Sequence, residues 1–153
     1  MGEMEMEVVL PKPIKITCIL GDILMFIGWF IPYFYGLILG IPTYQWMWGL
    51  KSANGVTEML PLEGDILTLF ILAIIILILI IINLIICLLM RRLKDKRLMG
   101  ILKIIIGVII IILVILPLLI TPALFTSYTL FVGFYLMIFG AIIVIIVGVR
   151  VIR

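Results

Sequence analysis

The sequence predicts an all-α integral membrane fold: a bundle of four transmembrane helices, up-down-up-down, with both termini cytoplasmic. Composition is the first reason. Of 153 residues, 67% are hydrophobic and 12% charged, with a mean hydropathy of +1.53, whereas soluble domains are about 45–50% apolar and about 25% charged. The second is length: four apolar runs each reach the roughly 20 residues that cross a bilayer at about 1.5 Å rise per residue. The third is charge placement, since ten of the eleven Lys and Arg residues fall where four crossings put one side of the membrane. The runs use most of the chain, so 1–153 reads as a single membrane domain with no room for a separate soluble catalytic one.

Before the first span, "MGEMEMEVVL" has no basic start and no small-residue cleavage pattern follows, so no removable signal peptide is expected. The same stretch lacks Ser or Thr at its sixth position and does not read as a myristoylation site. Span one covers about 14–36 and follows "PKP", which stops any earlier helix. Its end carries Tyr33, Phe34 and Tyr35, roughly 28–31 Å along a helix begun at Ile14. That is the level of an outer aromatic belt, shared by Tyr128, and lipid-facing interfacial rings are the expectation.

The outer loop, 37–64, is the longest extramembrane segment and stays apolar. "SANG" signals a turn, Pro42 and Pro61 break helices, and Trp46 and Trp48 flank a methionine. Such a loop is expected along the outer membrane surface with its indoles at headgroup level. It serves as a cap over the helix ends or as a surface for a partner. Glu63 and Asp65 suit a helix start, where the dipole favours carboxylates.

Span two covers about 65–90, span three about 98–120 and span four about 127–149. Isoleucine and leucine runs of this length argue for helices rather than strands, and no alternating barrel pattern is present. Between spans two and three lies a basic inner loop, 91–97, "RRLKDKR". Its Arg91, Arg92, Lys94, Lys96 and Arg97 join Lys12, Lys15, Lys103, Arg150 and Arg153 on the side the positive-inside rule makes cytoplasmic, leaving Lys51 outside. Topology thus accounts for the pI near 9.0, and no nucleic-acid partner is expected. The loop also suits anionic headgroups, at about 1 kcal/mol per basic residue near the surface.

In its order of spans and loops the chain is similar to claudin-like tetraspan proteins. Trp48, Gly49 and Leu50 look like the start of the claudin first-loop signature, a Trp-Gly-Leu-Trp followed by two cysteines. Here the fourth position is Lys51 and no cysteine follows in the loop. The resemblance therefore implies a left-handed four-helix bundle, and not the family's disulfide-held extracellular sheet or its junction-forming, paracellular-pore role. "FIGWFIP" and "GFYLMIFGAIIVIIVG" also look like small prokaryotic four-span proteins. Neither resemblance implies a biochemical activity.

One stretch stands out: "CILGDILMFIGWF", residues 18–30, carries Asp22 inside an apolar span. Counted from the cytoplasmic ends, Asp22, Asn83 and Lys103 all lie roughly 9–12 Å deep. Cys18 and Asp22 are four apart, as are Asn83 and Cys87, so each pair shares a helix face. Antiparallel packing then sets Cys18 near Cys87 and Asp22 near Asn83. An isolated aspartate near a helix centre costs about 2.5–3.5 kcal/mol on insertion scales, so Asp22 is expected to accept hydrogen bonds from Asn83 and Lys103. Three uses stay open: a structural clasp fixing register, a proton- or cation-handling site, or Lys103 snorkelling to the cytoplasmic interface.

Other chemistry is sparse. There is no histidine, no acid pair with catalytic spacing and no phosphate-cradling glycine loop. The two cysteines are too far apart in sequence for a metal motif. At the cytoplasmic side they are expected as reduced thiols, although hyperthermophile proteins are an exception this isoleucine-rich chain admits. No enzyme activity, cofactor or metal is expected. Span four carries Gly133, Gly140, Ala141 and Gly148, and span three carries Gly107. Small residues on one stripe let another helix approach closely, within the bundle or between copies.

The expected function is a scaffold or accessory subunit of the cell membrane, multi-pass, contacting the lipid bilayer and a membrane-protein partner or further copies of itself. Its contact residues would be Trp46, Trp48, Gly49 and Leu50. The alternative is ion or proton conduction through Asp22, Asn83 and Lys103.

Overall fold

A computed structural model describes residues 12–89, 96–121 and 128–153. Among these residues four helices and five short strands follow one another as α1 (Lys12–Phe30), β1 (Phe34–Ile38), β2 (Ile41–Gln45), β3 (Leu50–Ala53), β4 (Val56–Met59), α2 (Gly64–Leu89), α3 (Lys96–Ile120), β5 (Thr129–Leu130) and α4 (Val132–Ile152). Helices α2, α3 and α4 are long and apolar enough to cross a membrane, whereas the apolar part of α1, Ile16–Phe30, is shorter. Only 33–39% of the most apolar stretch of each long helix is buried against protein. A helix apolar on all sides but covered on one has the make-up of a membrane span. Ile78, Ile112 and Phe139, each at least half exposed, lie on such outward faces.

Helix α1 ends at Phe30, short of the expected 36. Pro32 biases Ile31 away from helical geometry, and the chain turns into a sheet. The segment expected as a loop over 37–64, together with the preceding residues from Phe34, forms four strands, and β5 from before α4 joins them in a five-stranded antiparallel sheet of order β4-β3-β2-β1-β5. A sheet, not expected without the loop cysteines, therefore forms through three successive hairpin pairings and the long-range pairing of β1 with β5. Two tight turns set its register. Leu39 and Gly40, with φ of 52° and 78°, link β1 to β2, and Asn54 and Gly55, with φ of 51° and 77°, link β3 to β4. Positive φ at both central residues is the hairpin turn whose twist matches the strands. Pro42 is tolerated because it stands beyond the end of β3, where β2 has only β1 beside it. Strand β5 occupies part of the expected start of span four, so α4 begins at Val132 rather than 127.

The sheet closes one end of the bundle. Tyr33 and Phe34, expected as lipid-facing belt residues, are buried instead, 1% and 0% exposed. The Tyr33 hydroxyl donates to the Val114 carbonyl of α3. Its backbone N–H donates to Gln45 and its carbonyl accepts from Phe131. One residue thus ties α3, the sheet and the entry to α4 together, and burial pushes its hydroxyl above the ordinary tyrosine range. Tyr128, also buried, contacts the Phe34 ring at 6.4 Å.

Helices meet in a ring, α1-α2-α3-α4, with α4 most extensively packed on α1 and α3. Glycines on both partners make that packing close. A Cβ at Gly140 would meet the Gly21 carbonyl oxygen at 2.7 Å, and one at Gly133 the Gly28 carbonyl oxygen at 2.8 Å. On the other side, Gly148 faces the Gly100 carbonyl oxygen at 2.7 Å and Gly107 faces that of Ala141 at 3.1 Å. Small residues seven apart on three helices therefore interlock in antiparallel register. Gly133, Gly140, Gly148 and Gly107 are used inside the bundle. Arg91, Arg92 and Lys94 of the basic loop lie outside the described residues; Lys96 and Arg97 open α3.

Candidate functional site

The site grows from three helices. Gly21 lets α1 approach α4 closely and so draws the neighbouring Asp22 into the interior. Helix α2 runs antiparallel to α1, and Asn83 reaches the same level. Helix α3 supplies Lys103. All three are sealed: Asp22 is 2% exposed, Asn83 0% and Lys103 0%. The expected polar layer is present.

Its wiring differs from expectation. Lys103 Nζ donates to Asn83 Oδ1 at 3.0 Å and reaches the Asn83 backbone carbonyl at 3.5 Å. Asn83 Nδ2 in turn donates to Asp22 Oδ1. The expected direct bond from Lys103 to Asp22 is replaced by a bridge through the amide. Ring order explains this: α1 and α3 are diagonal, and α2 lies between them. The amide can face only one way, because an ammonium only donates and a carboxylate only accepts. Among the described residues, Asp22 Oδ2 has no hydrogen-bond partner.

One turn towards the chain termini, Cys18 and Cys87 form a disulfide that staples α1 to α2, with Cα atoms 6.5 Å apart. Proximity of the two cysteines follows from the shared-face pattern. The expected reduced thiols are not what the structure holds. A carboxylate oxygen of Asp22 and the two sulfurs all lie within 4.8 Å of one another. Folding thus gathers a metal-capable donor set that sequence spacing alone disfavours. Cys18 and Asp22 are buried and Cys87 half-buried, so the cluster has one accessible side.

At the sheet end, Trp46–Leu50 forms the turn between β2 and β3. Trp46 N–H donates to the Leu50 carbonyl at 2.8 Å and Gly49 takes a φ of 88°. The indoles turn inward. Trp46 Nε1 donates to the Phe30 carbonyl at 2.6 Å, and Trp48 stacks on Trp29 with centroids 5.7 Å apart and planes 10° off parallel. Trp29 Nε1 caps this by donating to the Ala73 carbonyl at 2.9 Å. Trp46, Trp48, Gly49 and Leu50 therefore clamp the sheet onto α1 and α2, as a cap does. What stands outward is different: Leu39 at the β1–β2 tip, 96% exposed, and Val56 and Met59 on the edge strand β4, 65% and 52% exposed.

Several of these partners escaped the reading of the sequence. Gly21 and Gly28 are seven apart, as are Gly100 and Gly107 and, on α4, Gly133 and Gly140, and that spacing was their signal. Tyr33 had none beyond its aromatic ring. No family model matches the chain and no curated protein is similar to it in sequence.

Proposed function

We propose that the chain is a four-span membrane protein acting as a scaffold or accessory subunit, with its termini cytoplasmic and its sheet outside. The observation that carries this reading is the sealed polar layer. A conducting site needs water to reach Asp22, whereas Asp22, Asn83 and Lys103 are all at most 2% exposed. Their role is a clasp that fixes helix register. Interlocked glycines and the staple between α1 and α2 add rigidity to the same end. The claudin-like reading is kept here only as the order of helices and connecting segments.

Contact falls to the sheet. Leu39 is held in the left-handed region, which costs a bulky residue energy, while its side chain projects into solvent. Leu39, Val56 and Met59 are separate exposed apolar positions on the sheet, suited to a membrane-protein partner or a further copy of the chain. Photo-crosslinking residues placed at 39, 56 and 59 should give a discrete protein adduct in the native membrane, absent at the outward-facing Ile112. Lipid labelling alone at all four positions would defeat the scaffold reading. The runner-up, proton or cation conduction, is favoured by one feature, the unbroken hydrogen-bonded line Lys103–Asn83–Asp22.

A further inference from the structure

We infer that Cys18, Cys87 and Asp22 form a redox-gated site for a divalent thiophilic cation of the zinc type, independent of the scaffold reading. Three observations converge. The two sulfurs and a carboxylate oxygen lie within 4.8 Å of one another. Ligands about 2.0–2.3 Å from a tetrahedral ion stand roughly 3.5–4 Å apart, so small side-chain rotations suffice. The second is Asp22 Oδ2, an acceptor on a residue 2% exposed that has no hydrogen-bond partner among the described residues. Buried acceptors are normally satisfied, and an orphan needs an explanation such as an absent ion. The third is access: Cys87 is half-buried and marks the less covered side of the cluster, and Asp22, sealed while the disulfide stands, is reached from there only once reduction parts the two sulfurs.

Surrounding groups suit this donor set. Asn83 holds Asp22 Oδ1 in place, the kind of outer support that orients a ligating carboxylate. Charge also balances: two thiolates, a carboxylate and a divalent ion leave one negative charge, which the Lys103 ammonium offsets from the far side of the Asn83 amide.

The disulfide is the closed state of the gate. A dithiol delivers two electrons and two protons to the S–S bond and is itself oxidised to a disulfide, leaving Cys18 and Cys87 as thiols. The ion then replaces the two thiol protons, which leave to solvent, and forms two metal–sulfur bonds and one metal–oxygen bond. Sulfur keeps its oxidation state in this second step. The fourth position is left for water or a small ligand, the pattern of an open zinc site.

The experiment uses the purified full chain in detergent, reduced with a phosphine that is then removed, and titrated with Co2+ and Zn2+. Reduced wild type should take up Co2+ stoichiometrically with the thiolate-to-metal charge-transfer and tetrahedral d–d bands of a mixed sulfur–oxygen site, and Zn2+ should displace it. The oxidised protein should show neither band. Asp22→Asn should weaken binding by about tenfold or more, with the thiolate band retained. Reduced wild type without the bands would overturn the site, and so would Asp22→Asn binding as tightly as wild type. Should Asp22→Asn fail to fold, thiol alkylation of reduced wild type decides alone. Zn2+ should protect both cysteines from a maleimide, and equal labelling with and without Zn2+ would refute the proposal.

Discussion

Asn83 is the pivot of the polar layer, because both charged side chains depend on its single amide. Asn83→Leu should strip Lys103 and Asp22 of their shared partner at once. Breaking a buried ionic arrangement by removing one member costs about 3–5 kcal/mol, and thermal unfolding in detergent should register a loss of that size. Asp22→Leu combined with Lys103→Leu should be less damaging than the sum of the single changes, since each single change strands the opposite charge. Strict additivity would mean that the amide does not couple them. Tyr33→Phe removes one buried hydrogen bond to Val114 and should cost about 1 kcal/mol. The polar layer was legible in the sequence because charged and amide side chains are rare inside apolar spans and depth can be counted along a helix. The order of its contacts was not, because nothing in the residues says that α1 and α3 are diagonal. The disulfide was hidden for another reason: the shared-face pattern put the cysteines together, but the rule for cytoplasmic thiols argued against a bond.

Helix packing gives the sharpest test at the scale of elements. At Gly133 an added Cβ would meet three backbone oxygens, those of Ile31, Pro32 and Gly28, at 2.6–2.8 Å. Backbone cannot yield without moving α1, so Gly133→Ala should fall in the range of overpacking losses, about 1–3 kcal/mol. At Gly107 the closest atom, at 2.6 Å, belongs to the flexible Ile145 side chain, and Gly107→Ala should cost less. Denaturation of both variants in the same micelle checks the ranking; equal losses would mean that α3 and α1 grip α4 alike. The long helices were plain in the sequence as isoleucine and leucine runs. The sheet was not, since its strands are two to five residues long and their burial alternates poorly. Asn54–Gly55 between "LKSA" and "VTEM" was the one local hairpin signal, and it was legible only as a turn.

At the scale of the molecule, the ring of helices, the sheet over one end and the staple near the other describe a closed body whose outward-facing shaft is aliphatic. The proposed four crossings with cytoplasmic termini make a labelling prediction. In a Cys18→Ser, Cys87→Ser background, Lys51→Cys should react with an impermeant maleimide added outside, and Lys94→Cys only after the membrane is opened; the reverse pattern would invert the topology. The central claim is that the buried layer is a clasp and not a path. Proton and alkali-cation movement into liposomes carrying the folded protein tests it most directly, with Asp22→Asn alongside. The clasp predicts flux no greater than in protein-free liposomes for every ion tried, while wild-type flux that disappears in Asp22→Asn would contradict it and make Asp22 a working site.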